Sequence, residues 1–276
     1  MQFTFSTLCD FYGKSASHVF LYALFFTAIE LRFPAHRFSL RSRLLGASNF
    51  FVYFGFATLF WALSVSTYNA LGLKPIVSID LVKVQSSKGI AVGIVTMVLA
   101  AILLALVQDF FRYWYHRLQH SIPLLWRFHS VHHSIREMSA LNSNHHFVED
   151  LLAIPFVALP LMLIQIVPSA VPTVVALLIG VLTVFQHSNI RLGFGPLGYV
   201  FADRSFHWRH HSIAPRDWGC NFSNCFTFWD VVFGTARFCR SNERIEVGLA
   251  EQPEPISVMA YVLQPFLSGR RAKLRA

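Results

Sequence analysis

The chain has 276 residues, of which 54% are hydrophobic and only 13% charged, against about 25% charged in an ordinary soluble domain. So few charges are too few to cover a water-soluble surface, and a chain that faces lipid is expected. The formal charge is +9, from 23 Lys and Arg against 14 Asp and Glu. These basic residues lie in short loops and in the tail Arg270, Arg271, Lys273 and Arg275, not in one stripe. That distribution argues against a nucleic-acid partner and suits the cytoplasmic face of an anionic membrane.

In chain order, the N-terminus lacks a basic segment followed directly by an apolar run, so no cleavable signal is expected. Apolar stretches of near-spanning length run from Ala16 to Leu31, Ala47 to Tyr68 and Gly89 to Phe111, where about 20 residues make one helical crossing. A longer stretch, Leu151 to Phe185, is interrupted by Pro168 and Pro172. Proline removes the N–H a helix interior needs, so two shorter helices in a hairpin are predicted there. Arg37, Arg41 and Arg43 place the loop after the first span in the cytoplasm. Counting crossings from that loop puts both later histidine-rich blocks on the same side. The expected fold is all-α, with about four to five membrane spans topped by a cytoplasmic helical cap that holds the histidine-rich blocks. Residues 1–107 are the N-terminal spans, 108–240 the histidine-bearing region with its hairpin at about 151–186, and 241–276 a basic cytoplasmic tail. Cys9, Cys220, Cys225 and Cys239 form no CxxC pair and read as ordinary free thiols.

Eleven of the 13 histidines lie between His116 and His211. His18 and His36 fall outside and read as surface residues. His116 and His120 are spaced i, i+4, which sets both rings on one helix face. His129, His132 and His133 repeat that logic, as do His207, His210 and His211; His145-His146 and His187 stand between these groups. Imidazole suits Fe, Zn, Cu and Ni, and the two HxxHH turns and the HxxxH turn hold more donors than one tetrahedral zinc can use, so two metal ions are expected. Asp109 lies one heptad before His116 and could ligate or orient a ligand. Tyr113, Trp114, Tyr115 and Trp126 read as an interfacial aromatic belt. Arg117, Arg127, Arg136, Arg204 and Arg209 read as contacts to phosphates or carboxylates.

From Gln108 to Arg237 the pattern resembles the fatty acid hydroxylase/sterol desaturase superfamily of integral membrane di-iron oxidases. The residues that carry the resemblance are Asp109, Tyr113-Trp-Tyr-His116-Arg117 with His120, then Trp126-Arg-Phe-His129-Ser-Val-His132-His133-Ser134. His187-Ser-Asn189, His207 to His211, Asn221-Phe222 and Trp229-Asp230-Val-Val-Phe233-Gly234-Thr235 follow. Two departures stand out. His146-Phe-Val-Glu149 has Phe147 where the family often has proline, with His145 as an added histidine; Asn221-Phe222-Ser223 has serine where glycine is usual.

The resemblance implies two irons held by His116, His120, His129, His132, His133, His146, His187, His207, His210 and His211, with His145 the alternative to His146. It leaves Asp109, Glu149 and Asp230 as residues that orient them. It implies O2 as co-substrate and hydroxylation or desaturation of an unactivated C–H in a fatty acyl, sterol or related lipid. Such a bond needs a strong oxidant, which calls for redox-active iron. With no cytochrome b5-like segment in the sequence, electrons are expected from a separate cytochrome b5-, ferredoxin- or reductase-like protein. A bacterial inner membrane is favoured over the endoplasmic reticulum. Two rivals use the same histidines: a membrane zinc hydrolase with Glu149 as general base, and a metal transporter. The latter predicts polar residues inside the spans, whereas Gly89 to Leu106 and Leu151 to Phe185 are nearly free of them apart from Gln165.

Overall fold

Away from water, every backbone N–H and C=O must find a partner within the protein, and an apolar run does so most simply as a helix. The computed structural model describes residues 5–167, 170–238 and 243–267, with side chains from residue 17 onward. Pro168, Cys239, the basic tail residues and the side chain of Cys9 lie outside the described residues. Four long helices make the body: α1 (Phe5–Arg32), α2 (Leu40–Ala70), α4 (Ile90–Ser121) and α8 (Ala170–His187). Of these, α2, α4 and α8 are long and apolar enough to cross a membrane. Along α4 the side chains of Ile90, Ile94, Leu99 and Leu103 are exposed, a face that water penalises and acyl chains accept.

Local chemistry sets the helix ends. Ser39 starts α2 by accepting the N–H of Ser42 at 3.1 Å, and Asp80 starts α3 (Leu81–Lys88) by accepting those of Val82 and Lys83, satisfying N–H groups the first turn leaves free. Gly89, at φ 87°, turns the chain from α3 into α4, a conformation costly for a residue with a Cβ. The 32-residue α4 is about 48 Å long and runs well past Phe111, so its last turns carry His116 and His120 out of the apolar span. Residues 148–162 form a second arm: α6 (Val148–Ala153), a π-helical turn (Ile154–Ala158) and α7 (Leu159–Met162). The wide turn holds Pro155, with Pro160 just beyond, and neither can donate to the ladder. Pro172 falls in the first turn of α8, where its missing N–H is harmless.

One element has no counterpart in the sequence reading. β1 (Val77–Asp80) pairs in parallel with β2 (Ile164–Val167), Val77 opposite Ile164. The ladder sits before the starts of α4 and α8, at the end of the bundle away from the histidines. At the histidine end lie α5 (Pro123–His133), α9 (Arg204–His210), α10 (Phe228–Val232) and α11 (Val258–Leu267). Ala23 and Phe26 of α1 pack with Phe185 and Ile190, Ala105 of α4 with Val175 and Ile179 of α8, and Tyr115, Leu125 and Val157 with one another. A buried pair, Glu30 with Arg43, ties α1 to α2. Glu30 also accepts the N–H groups of Ala140 at 2.8 Å and Asn189 at 2.7 Å, so two connecting loops hang on one carboxylate.

Candidate metal centre

Four elements bring their histidines to one place. The last two turns of α4 offer His116 and His120; α5 offers His129, His132 and His133; α8 ends on His187; α9 with its C-cap offers His207, His210 and His211. They sort into two adjoining clusters. His116, His120, His129, His133 and His210 form one, and His132, His187, His207 and His211 the other, with the donor atoms of each cluster all within 4.8 Å of one another. The rings of His133 and His211 stack at 4.2 Å where the clusters meet.

Hydrogen bonds around the rim fix ring orientation. The Nδ1–H of His116 donates to the carbonyl of Phe222 at 2.8 Å, that of His129 to the Glu149 carboxylate at 2.9 Å, that of His187 to the Thr183 carbonyl at 2.7 Å, and that of His210 to the Cys220 carbonyl at 2.7 Å. With Nδ1 protonated, each Nε2 carries a lone pair. The Nε2 atoms of His116 and His129 face each other at 3.0 Å, and buried Nε2 of His210 has no hydrogen-bond partner. Lone pairs converging in this way repel unless a cation lies among them, so the first cluster fits a metal ion. Burial also holds His129, His132, His133, His207, His210 and His211 below the ordinary 6.5, with neighbouring histidines adding to the shift for each; at His129 the Glu149 charge works the other way. They are neutral, the form that ligates.

Glu149 is the main support. Its carboxylate accepts from His129, from His145 at 3.0 Å, from Gln119 at 2.6 Å and from the N–H of His146 at 2.9 Å. Burial pushes this carboxyl up, but His145 and His129 beside it outweigh burial and hold it well below the ordinary carboxylate range. Asp109 accepts three backbone N–H groups, from Asn224, Cys225 and Phe226. Asp230 accepts those of Phe222 and Ser223 at 2.8 Å and the Thr235 hydroxyl at 2.7 Å. Both shape the loop that presents the Phe222 carbonyl to His116. Asn221, at φ 58°, joins that loop to α9 by donating to the carbonyl of Phe206 at 2.8 Å.

Of the adjacent pair, His145 reaches the clusters: its ring stacks on His132 at 3.9 Å, and with His129 and Glu149 it forms a third close set. His146, the residue favoured from the sequence, points the other way. Its Nε2–H donates to the Val262 carbonyl at 3.2 Å, its Nδ1 accepts the N–H of Val148, and its ring packs on Phe128 and Tyr261. It lies in neither cluster. The aromatic belt is corrected at Tyr113, Tyr115 and Trp126, while Trp114 is exposed. Tyr113 and Trp126 are fully buried; Tyr113 shares a hydrogen bond with Thr235, Tyr115 donates to the Glu149 carbonyl, and Trp126 packs on His120. His36 is no simple surface residue, stacking on Trp208 and Phe38. Arg209 pairs with Asp217 and Glu243, and Arg117, Arg127 and Arg136 donate to internal oxygens. Gln119, Gln186 and Thr183 support the site without having been singled out; Gln186 donates to the carbonyls of Ala202 and Asn224.

Residues 101–235 match the family model described as fatty acid hydroxylase. This stretch is a fatty acid hydroxylase domain, which supports the resemblance to the fatty acid hydroxylase/sterol desaturase superfamily. The match spans α4 from Ala101 through the last loop that supports the centre, and so takes in both histidine clusters. No curated protein and no solved structure matches the chain.

Proposed function

We propose that this protein is an O2-dependent lipid oxidase that hydroxylates or desaturates an unactivated C–H of a fatty acyl, sterol or related membrane lipid. The observation that carries the reading is the pair of adjoining histidine clusters at the ends of membrane-length helices, where a lipid in the bilayer and a soluble electron donor can both arrive. His116, His120, His129, His133 and His210 would hold one iron, and His132, His187, His207 and His211 the other, with His145 beside them. Bound there, the two irons would supply the O2-activating redox chemistry that breaking an alkyl C–H requires.

The chain's own residues have separable tasks. Glu149 keeps the Nδ1 proton on His129, and the carbonyls of Phe222, Thr183 and Cys220 do the same for His116, His187 and His210, so the Nε2 lone pairs of these four stay aimed inward. Buried Trp126 and Phe222 line the histidines with apolar surface and exclude water. The zinc-hydrolase rival needs Glu149 as a free general base, whereas that carboxylate is held by four donors. Electrons would come from a separate cytochrome b5-, ferredoxin- or reductase-like protein. The arginine-rich loop between α1 and α2 favours a cytoplasmic histidine end; labelling of an Arg216→Cys variant, but not of the unsubstituted protein, by an impermeant thiol reagent from outside intact cells would reverse that assignment.

The deciding experiment is elemental analysis of detergent-purified protein beside a His132→Ala, His210→Ala double variant, one change in each cluster. About two irons per chain, lost in the variant together with O2-dependent lipid product, is the expected result. Zinc alone under iron-replete expression, with no O2-dependent product, would sink the reading.

A further inference from the structure

Trp208 sits between ligand candidates on α9, yet its ring faces away from them, toward a groove of about 920 Å³ that it lines with His36, Arg37, Arg191, Arg204 and Arg244. The lining holds four arginines against a single carboxylate, Glu243, which is itself paired with Arg209 and, at 3.6 Å, with Arg216. The field in the groove is therefore strongly positive.

The walls are fixed in place. The Arg204 guanidinium lies 3.8 Å over the Trp208 ring, and its Nε–H donates to the Ser188 carbonyl at 3.1 Å. The Nε–H of Arg191 donates to the Pro34 carbonyl at 3.0 Å. The His36 ring stacks on Trp208 and on Phe38 at 5.5 and 5.8 Å. Asn189 clamps the His36 backbone, accepting its N–H at 2.9 Å and donating to its carbonyl at 2.7 Å. Burial and then the charges of Arg204, Arg244 and Arg191 hold His36 below its ordinary 6.5, against Glu246, as convergent cations require. Ser188, which holds Arg204, directly follows His187, and Trp208 directly follows His207, so the groove lies against the backbone that carries the second histidine cluster.

Planar guanidinium forks match the paired oxygens of a phosphate or carboxylate. The volume is that of a small-molecule site, about 300–1,000 Å³, and the shape is concave, whereas a protein partner covers a broad patch of about 800 Å². The groove lies where α1 ends and α8 ends, at the histidine end of the bundle, the level at which lipid headgroups meet protein. We infer that this groove binds the acidic head, phosphate or carboxylate, of a lipid whose tail is presented to the metal centre. The fate of the tail rests on the lipid-oxidase reading; binding of the head does not.

The test is equilibrium binding of tail-labelled lysophosphatidate and of lysophosphatidylcholine with the same tail to the full-length protein in detergent. An Arg191→Gln, Arg244→Gln double variant is run in parallel, with inorganic phosphate as competitor. Lysophosphatidate should bind at least tenfold tighter than lysophosphatidylcholine. The double variant should erase that preference while keeping wild-type metal and helix content. Should the double variant lose its metals, Arg37→Glu, at an exposed position, carries the same test. Equal binding of the two lipids, a preference that survives substitution, or displacement by phosphate at equal concentration would overturn the assignment. So would a variant that loses only electron uptake from an acidic donor protein, which would give the groove to that partner. A headgroup preference in a protein without iron or lipid oxidation would defeat the oxidase reading and leave this one standing.

Discussion

At Glu149 one carboxylate serves four donors, and its removal separates holding a metal from holding the fold. Glu149→Gln keeps the shape but loses the charge that fixes the His129 tautomer, and such outer contacts are worth about 10–100-fold in metal affinity. The variant should lose metal to a mild chelator at correspondingly lower concentration with unchanged helix content. His146→Ala should keep full metal stoichiometry and lower only thermal stability; metal loss there would contradict the placement of His146 against Phe128 and Tyr261. The shifted histidines give a pH prediction. In the unfolded chain these rings take up protons near 6.5, whereas in the fold burial keeps His132, His133, His207, His210 and His211 neutral well below that, and His129 below it. The unfolded state then binds more protons, so apo-protein stability should be flat above about pH 7 and fall below 6.5, by about 1.4 kcal/mol per pH unit for each ring. Glu149, whose folded value is depressed, adds a further loss of stability only below its ordinary 4.5. A melting temperature that rises between pH 6.5 and 5 would show the rings charged in the fold. The histidine spacing was legible because i, i+3 and i+4 rings share a helix face whatever the fold. The choice between His145 and His146 was not, because neighbours at the start of a helix point apart and only the docking of α6 decides which faces in. Gln119 left no signal at all, since its role exists only through Glu149.

At the level of elements, close packing of α2 against the loop that leads to His145 depends on Gly46. A Cβ there would stand 2.1 Å from the Leu141 carbonyl oxygen and 2.5 Å from the Asn142 Cα, backbone atoms that cannot swing aside. Gly46→Ala should cost about 1–3 kcal/mol through overpacking and lower the melting temperature. Gly55→Ala, on the same helix with nothing within 4 Å of the added Cβ, should be neutral or mildly stabilising. Equal behaviour of the two would mean that α2 does not pack on this loop. The long helices were legible from hydropathy, since lipid leaves an apolar run one stable form. The β1–β2 ladder was not, because four residues on each side carry no periodicity and the partners are 87 positions apart. The Glu30–Arg43 pair did leave a trace, single charges at the edges of apolar runs, but its meaning needed both helices side by side.

For the whole molecule, exposed apolar flanks on α4 and a polar cap over its last turns divide the protein into a part that lipid stabilises and a part that the histidines organise. The two clusters are not two modules within that cap. From α5, His129 and His133 go to the first cluster and His132 to the second; from α9, His210 goes to the first and His207 and His211 to the second. No rotation of either helix can suit one cluster without moving donors of the other. If each cluster takes an ion, the two sites are energetically linked, the first ion ordering donors for the second, so that its entry costs less. Anaerobic titration of the apo-protein with ferrous iron, followed by native mass spectrometry, should show empty and doubly loaded chains with few singly loaded ones, whereas a statistical share of singly loaded chains would mean independent sites. A cell short of iron would then hold some molecules complete and others empty, with few half-filled centres able to take electrons and O2 without a substrate to use them on.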